Sequence, residues 1–391
     1  MKDRGPSTRS VHECSEIDPQ SGAIVPPIFE NAAYAYPDVD AWRSVALRET
    51  PGHIYSRNSN PTVALFEAKM AALEGAEAAV AFSTGMAAIS NTLFALLSPG
   101  QRVVGVSDVY GGTYLHFTKI LPRFGIECTV CSTDDETEIV GAIGNGCDVL
   151  YLETPTNPTL KVLDIKKLAQ AAARVGATTI VDNTFATPIN QLPLTLGADL
   201  VVHSATKYIG GHSDVLGGAL CGNAELVARV LLFRELTGAS LDAHSASLFL
   251  RSLKTLALRV ERQNANAQHM AEFLEGHAKV EKVFYPGLKG HPRHATARSQ
   301  MRGFGGVLSF ALKGGFEAVA RLLPRLELAY MAANLGQVET IVGPPSLTSH
   351  VECTEEERAA AGIPEGLVRY AVGIEDFEDL RADMEQALAQ V

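Results

Sequence analysis

Long apolar runs are missing from this 391-residue chain. No stretch approaches the ~18 consecutive apolar residues that a membrane-spanning helix needs. The first ten residues, Met1-Lys-Asp-Arg-Gly-Pro-Ser-Thr-Arg-Ser10, have no apolar core of the signal-peptide kind. The two absences lead to the expectation of a cytoplasmic protein that engages no membrane. Positive charge is also scarce. Lys and Arg number 33 against 44 Asp and Glu, a formal net charge of −11. That balance argues against a nucleic-acid or anionic-membrane partner, but a local basic pocket for a small anion remains open.

Cysteine is thin as well. There are six, scattered apart from Cys128-Thr-Val-Cys131. That pair lies in Ile126–Cys131, which reads as a strand, and positions three apart on a strand face opposite sides. With no second pair nearby, these are expected to be buried packing thiols. His291-Pro-Arg-His294 has no further ligand at metal spacing, so two solvated histidines and no metal site are expected. Gly303-Phe-Gly-Gly306 precedes a strand instead of following one and fails as a dinucleotide loop. Internal repeats and low-complexity segments are absent too.

What is present is an ordinary globular composition, 46% apolar and 20% charged. The length suits two or three domains. Residues 1–60 read as an extended, proline-punctuated N-terminal arm with one short helix near Trp42. Asn60-Pro61 then opens a helix, Asn as cap and Pro in the first turn. Val63, Phe66, Met70 and Leu73 form its apolar stripe, and Gly75 ends it. Strand-like runs follow at Ala78–Phe82, Val103–Val106, Val149–Leu152, Ile180–Val181 and Leu200–Val202. Helical patterns lie between several of them, at Met86–Leu97, Tyr114–Phe124 and Ile165–Val175. This alternation predicts an α/β fold, a mostly parallel sheet with helices on both faces, over residues 61–250. A long helical stretch near Ser245–Leu274 leads into a smaller α+β domain, residues 251–391. That domain has strand-like Gly306–Leu312 and Leu367–Val372, a helix around Phe316–Leu323 and a last helix from Phe377.

Ligands of parallel sheets bind at the carboxyl ends of the strands, where Ser83, Ser107, Asp182 and Ser204 fall. Lys207, in Ser204-Ala-Thr-Lys-Tyr208, stands where a buried strand gives way to a glycine-rich turn. A lysine there is suited to condense with a carbonyl compound. Asp182 ends the neighbouring apolar run. Ser83-Thr-Gly85-Met86 joins a strand to a helix and so offers free amides to an anion. Arg369 sits inside an apolar strand, where an unpaired charge is costly.

With Asp182-Asn-Thr184, Gly211-His-Ser-Asp214, Tyr55-Ser-Arg-Asn-Ser-Asn-Pro-Thr62, Val109-Tyr-Gly-Gly-Thr113, Glu153-Thr-Pro-Thr-Asn-Pro158 and Leu367-Val-Arg-Tyr-Ala-Val-Gly373, these segments resemble the Cys/Met-metabolism enzymes that depend on pyridoxal 5′-phosphate (PLP). That family spans cystathionine γ-synthase, cystathionine γ-lyase, methionine γ-lyase and O-acylhomoserine sulfhydrylase. The resemblance runs from about Ala23 to the C-terminus. It implies the aminotransferase-like fold of PLP enzymes (fold type I) and a homotetramer, a dimer of dimers with shared sites. By the same resemblance, Lys207 holds the cofactor aldehyde and shuttles protons, and Tyr110 stacks on the ring and assists. Asp182 and Thr184 support the ring. Gly85, Met86, Ser204 and Thr206 hold the phosphate, and Tyr55 and Arg57 reach the phosphate of the neighbouring subunit. Arg369 and Asn157 take the substrate carboxylate, with Asn334 nearby.

The reaction so implied is γ-replacement or γ-elimination on a γ-substituted L-amino acid. Cystathionine-handling members carry acids where this chain has Ile54 and Ala333. Gly112 replaces the cysteine typical of methionine γ-lyases, Asn334 the serine usual in lyases, and Thr348-Ser-His-Val-Glu-Cys353 fits neither pattern. The expectation is therefore an O-acyl-homoserine with a small sulfur nucleophile. The alternatives are methionine γ-lyase or cystathionine γ-lyase/γ-synthase activity. A non-catalytic PLP-fold binding protein is disfavoured by the intact Lys207/Asp182 pair.

Overall fold

The computed structural model describes residues 4–14, 17–351, 354–360 and 362–391. Its larger sheet has seven strands: β1 (Ala78–Phe82), β2 (Arg102–Val106), β3 (Glu127–Cys131), β4 (Val149–Glu153), β5 (Thr178–Asp182), β6 (Leu200–Ser204) and β7 (Gly218–Gly222). Their order is β1-β7-β6-β5-β4-β2-β3, with β7 antiparallel to both neighbours and every other pairing parallel. Alternation along β1 shows two covered faces. Val80 and Phe82 pack into one apolar cluster with Ile89, Leu93, Val227 and Val230, whereas Ala81 packs into another with Phe66, Met70 and Phe249. The expected α/β layering is thus observed. Its strand ends extend a residue or two beyond the apolar runs, which brings Glu153, Asp182 and Ser204 onto the carboxyl edge.

β7 was not legible in the sequence. Gly-Ala-Leu-Cys-Gly has none of the β-branched or aromatic residues that mark strands. Its glycine at 218 is required because an added Cβ would run into the carbonyl of Thr84. The second sheet comprises β8 (Val280–Phe284), β9 (Val307–Leu312), β10 (Tyr330–Met331), β11 (Ile341–Gly343) and β12 (Leu367–Ala371), ordered β10-β11-β12-β9-β8 and mostly antiparallel. Helices Leu256–Glu275 and Phe377–Leu388 pack on it through Met270, Leu274, Leu380 and Met384.

Four expectations change. The stretch 245–274 is two helices, Ala243–Leu253 and Leu256–Glu275. The break has a cause: the Arg259 guanidinium donates to the Ser252 carbonyl at 3.0 Å and to that of Tyr208 at 2.7 Å, replacing the next helical turn. The N-terminal arm holds a second helix, Pro6–His12, besides Val39–Ala46 around Trp42. It is too short for a periodic signal and is pinned by Arg9 to the Ala72 carbonyl and by Lys69 Nζ to that of Val11. The helix expected from Tyr114 starts at Gly111. It widens into a π-turn at His116–Ile120 and tightens at Leu121–Phe124, where Pro122 brings no N–H to the ladder. Lastly, His291 and His294 are half-buried, not solvated. His294 Nδ1 lies 2.8 Å from the Pro286 carbonyl, and His291 Nδ1 accepts the Arg293 N–H at 3.2 Å. Burial pulls His291 down to about 4.

The described residues contain no group of side chains suited to a metal ion. Cys128 and Cys131 are free thiols, each pushed up to about 11 by burial. Among the described residues no helix is long and apolar enough to cross a membrane.

Candidate active site

The carboxyl ends of β1, β4, β5 and β6 meet a loop and strand of the second sheet around a cavity of about 400 Å³. After β1, Thr84 caps helix Gly85–Leu96 by accepting the Ala87 N–H at 3.0 Å. The Gly85 and Met86 amides belong to the first turn, where a helix offers no carbonyl partner. Gly85 permits the close approach of this turn to β6, since a Cβ there would lie 2.7 Å from Ser204 Cβ. Side by side, Gly85, Met86, Ser204 and Thr206 line the cavity. The Thr206 hydroxyl also ties the turn together by accepting the Gly217 N–H at 3.0 Å.

Asp182 ends β5 on the cavity floor. Its Oδ1 accepts the Thr184 N–H at 3.0 Å, and its Oδ2 accepts the Tyr151 hydroxyl at 3.2 Å. Burial raises its pKa, while the Thr184 hydrogen bonds and the charge of nearby His203 work the other way. A protonated pyridine nitrogen is the kind of partner such a buried carboxylate lacks. The Thr184 hydroxyl accepts the Ser204 N–H at 2.9 Å and so locks β5 to β6.

Lys207 enters from the turn after β6, and its Nζ donates to Asn334 Oδ1 at 2.6 Å. Burial first, then the charge of Arg369, lowers it to about 8. Arg369, on β12, is 6% exposed. It donates to Asn157 Oδ1 at 3.0 Å and to the Asn334 carbonyl at 3.2 Å. Among the described residues no carboxylate pairs with it, and burial lowers it to about 10. A buried guanidinium with only neutral partners is ready for an incoming carboxylate.

Tyr110 caps the segment that begins at Gly111, and it also lines the cavity. Asn334 lines the adjoining cleft together with Lys207 and Thr206. Tyr55 and Arg57 do not reach the cavity of their own chain. Arg57 donates to the Glu235 carbonyl at 2.5 Å and lies 5.5 Å from the Tyr55 ring centroid. Ile54 stays with them, while Ala333 lines the cavity. Glu352 and Cys353 of the 348–353 segment lie outside the described residues; Thr348 and Ser349 line the cavity.

Sequence reasoning passed over two residues here, Glu153 and Tyr151. Glu153 ends β4 and is the register partner of Asp182. The strand-end rule that marked Asp182 applied equally to Glu153. Tyr151 gave no signal, because a tyrosine in an apolar strand looks like packing.

The donor set fits a phosphorylated aldehyde: a lysine of lowered pKa, a buried acid beside it and a glycine-opened helix N-terminus. An α/β protein with this site is of the pyridoxal-phosphate class. The chain belongs to the Cys/Met metabolism PLP-dependent enzymes, a family description that matches residues 7–389. It is 44% identical to an L-methionine gamma-lyase of Pseudomonas putida over 386 residues, 98% of this chain and 97% of that one. A cystathionine gamma-lyase of Bacillus subtilis is 43% identical, covering 98% and 99%. Among solved structures, the cystathionine gamma synthase of Xanthomonas oryzae pv. oryzae in complex with cystathionine superposes with a TM-score of 0.94 at 38% identity, covering 99% and 98%. The protein is a PLP-dependent enzyme of γ-elimination or γ-replacement in Cys/Met metabolism.

Proposed function

We propose that the enzyme catalyses γ-elimination from an L-amino acid with an apolar γ-thioether, the methionine class. The observation carrying this is the passage out of the cavity. Leu216 and Ala333, with Thr206 and Lys207, line both the cavity and the adjoining cleft, so on our reading a substrate's far end meets two apolar side chains where the two join. An uncharged thioether loses little beside Leu216 and Ala333, whereas a distal ammonium gains a partner only if it extends to Asp214 or Glu339, which line the adjoining cleft and not the cavity. The similarity to methionine and cystathionine enzymes supports this alternative over the O-acyl-homoserine reaction expected from single positions. Gly112, in place of the cysteine typical of methionine γ-lyases, counts against it, and the whole-chain similarity outweighs that single position.

The chemistry supplied by bound PLP is an electron sink for negative charge developing at the substrate Cα. The chain's own residues do the rest. Lys207 Nζ, with a pKa of about 8, takes the proton from Cα and moves protons between Cα and Cβ. Arg369 grips the carboxylate, and Asn157 aims Arg369. Asp182 would face the ring nitrogen, and Tyr110 would cover the ring and offer a proton path. Gly85, Met86, Ser204 and Thr206 would hold the phosphate. Arg57 and Tyr55 complete that pocket in a neighbouring subunit, so the working unit is at least a dimer and in our reading a dimer of dimers. In this arrangement residues 1–60 are the donated arm, 61–250 the cofactor domain and 251–391 the domain that brings Arg369.

One observation favours a second reading. Glu339 lines the adjoining cleft, where it could meet the distal ammonium of cystathionine. The test is a comparison of kcat/KM for methionine, cystathionine, O-acetyl-homoserine and O-succinyl-homoserine, with and without sulfide. Methionine should give 2-oxobutanoate without an added nucleophile and with the highest kcat/KM. A clear preference for cystathionine, or turnover of O-acyl-homoserine that needs sulfide, overturns the proposal.

A further inference from the structure

Glu153 is 3% exposed, lines the cavity and stands beside Asp182 across the β4–β5 register. Its Oε2 accepts the backbone N–H of Tyr110 at 2.8 Å. The backbone N–H of Asn157 is close enough to favour the charged form of the same carboxyl group. These two amides belong to different loops. One carries the tyrosine ring at the cavity; the other carries the side chain that receives Arg369 Nη1 at 3.0 Å. No cation is bonded to Glu153 among the described residues, so charge pairing does not explain it. Among the groups around it, Asp182 and Asp108 act on it by charge, and Lys207 and Arg369 share the cavity.

We propose that Glu153 is a positioning residue for the γ-reaction: one buried carboxyl group, accepting the Tyr110 amide and facing that of Asn157, fixes both the Tyr110 ring and the Asn157–Arg369 carboxylate grip. The inference rests on the reading of Tyr110 and Arg369 given above. Two carboxyl groups side by side in a buried floor do not both ionise cheaply. Burial, followed by the charge of Asp182, raises the Glu153 pKa well above its ordinary value. The work assigned to Glu153 is to accept a hydrogen bond, which needs an oxygen at that place and not a charge. An amide of the same shape can do that work, and a shorter acid cannot reach.

The experiment uses the holoenzyme variants Glu153→Gln, Glu153→Asp and Glu153→Ala. Glu153→Gln should keep kcat/KM within about threefold of the parent. Glu153→Ala should lower kcat by about 10- to 100-fold, raise the substrate KM and weaken the visible circular dichroism of the bound cofactor. Glu153→Asp should fall between them, at an apo-form Tm close to that of Glu153→Gln. If Glu153→Ala does not fold, the order of Gln over Asp in kcat decides the matter. A Gln variant as damaged as Ala, an Asp variant equal to or better than Gln, or an Ala variant with parental kcat, KM and dichroism overturns the proposal. Adding Tyr110→Ala to Glu153→Ala should cost kcat no more than the worse single change, and additive losses count against coupling. Tyr110→Ala with parental kcat would instead sink the role of Tyr110. In that case a raised KM in Glu153→Ala would still report the Asn157–Arg369 branch.

Discussion

On the cavity floor, Asp182 and Glu153 are buried, and their carboxylate oxygens hold hydrogen bonds from Thr184, Tyr151 and Tyr110. In the N-terminal arm, Ile24, Val25 and Val39 are 77%, 70% and 75% exposed, and Arg57 spends its guanidinium on a backbone carbonyl. One region is finished within the chain; the other carries exposed apolar side chains and an arginine held by a backbone carbonyl, with no carboxylate paired to it among the described residues. A run of large exposed apolar side chains is characteristic of an interface. The contrast is what the proposed shared site requires: a floor assembled within one chain, and an arm whose Tyr55 and Arg57 would serve a second.

The sharpest way to break this contrast is at the floor. On the proposed role of Lys207 as cofactor anchor and proton carrier, Lys207→Ala should reduce turnover by at least about 10³-fold. Borohydride trapping of the parent, followed by peptide mapping, should place the label on Lys207, and a label on any other lysine refutes the assignment. The arm comes next. Arg57→Ala should cost about 10- to 100-fold in kcat/KM, the worth of a charge-assisted bidentate contact, and should weaken cofactor retention. Mixing it with Lys207→Ala protein under subunit exchange should restore activity, since a mixed dimer assembles one intact site. Exchange without recovery would show that the arm serves its own subunit. The smallest effect is expected at the rim. Ala333→Glu should shift the ratio of kcat/KM toward cystathionine by roughly tenfold, about 1–3 kcal/mol for a hydrogen bond to a charged group. An unchanged ratio would move the discrimination to Glu339.

The pH response follows from the floor as well. Lys207 has a folded pKa of about 8, below its ordinary value. The unfolded chain therefore binds the extra proton between the two values, and the stability of the apo form should rise with pH across that window. Lys207→Met should flatten this rise in a denaturation series.

Much of the floor was legible before folding because strand ends are local events. Apolar runs stopping at Asp182 and Ser204, and a lysine three residues on, identify a carboxyl-edge site from spacing alone. Glu153 fell under the same rule but was passed over, its motif being read for Asn157. β7 was invisible because close packing against Thr84 demands glycine, and glycine carries no strand signal. The break after Leu253 was invisible because its cause, Arg259 reaching back to Ser252, depends on a side chain about two turns further along.

By itself the sequence determined the layered α/β architecture, the lysine and acid of the site and the family's chemistry, since each rests on periodicity or on short contiguous motifs. Only the tertiary structure decided which groups meet. It set Arg369 of the second sheet against Asn157 in the loop after β4, 212 residues apart in the chain, and Lys207 against Asn334, 127 residues apart. It also kept Tyr55 and Arg57 out of their own cavity. Contacts of that separation come from packing two sheets together, and no local pattern of residues encodes where such surfaces touch.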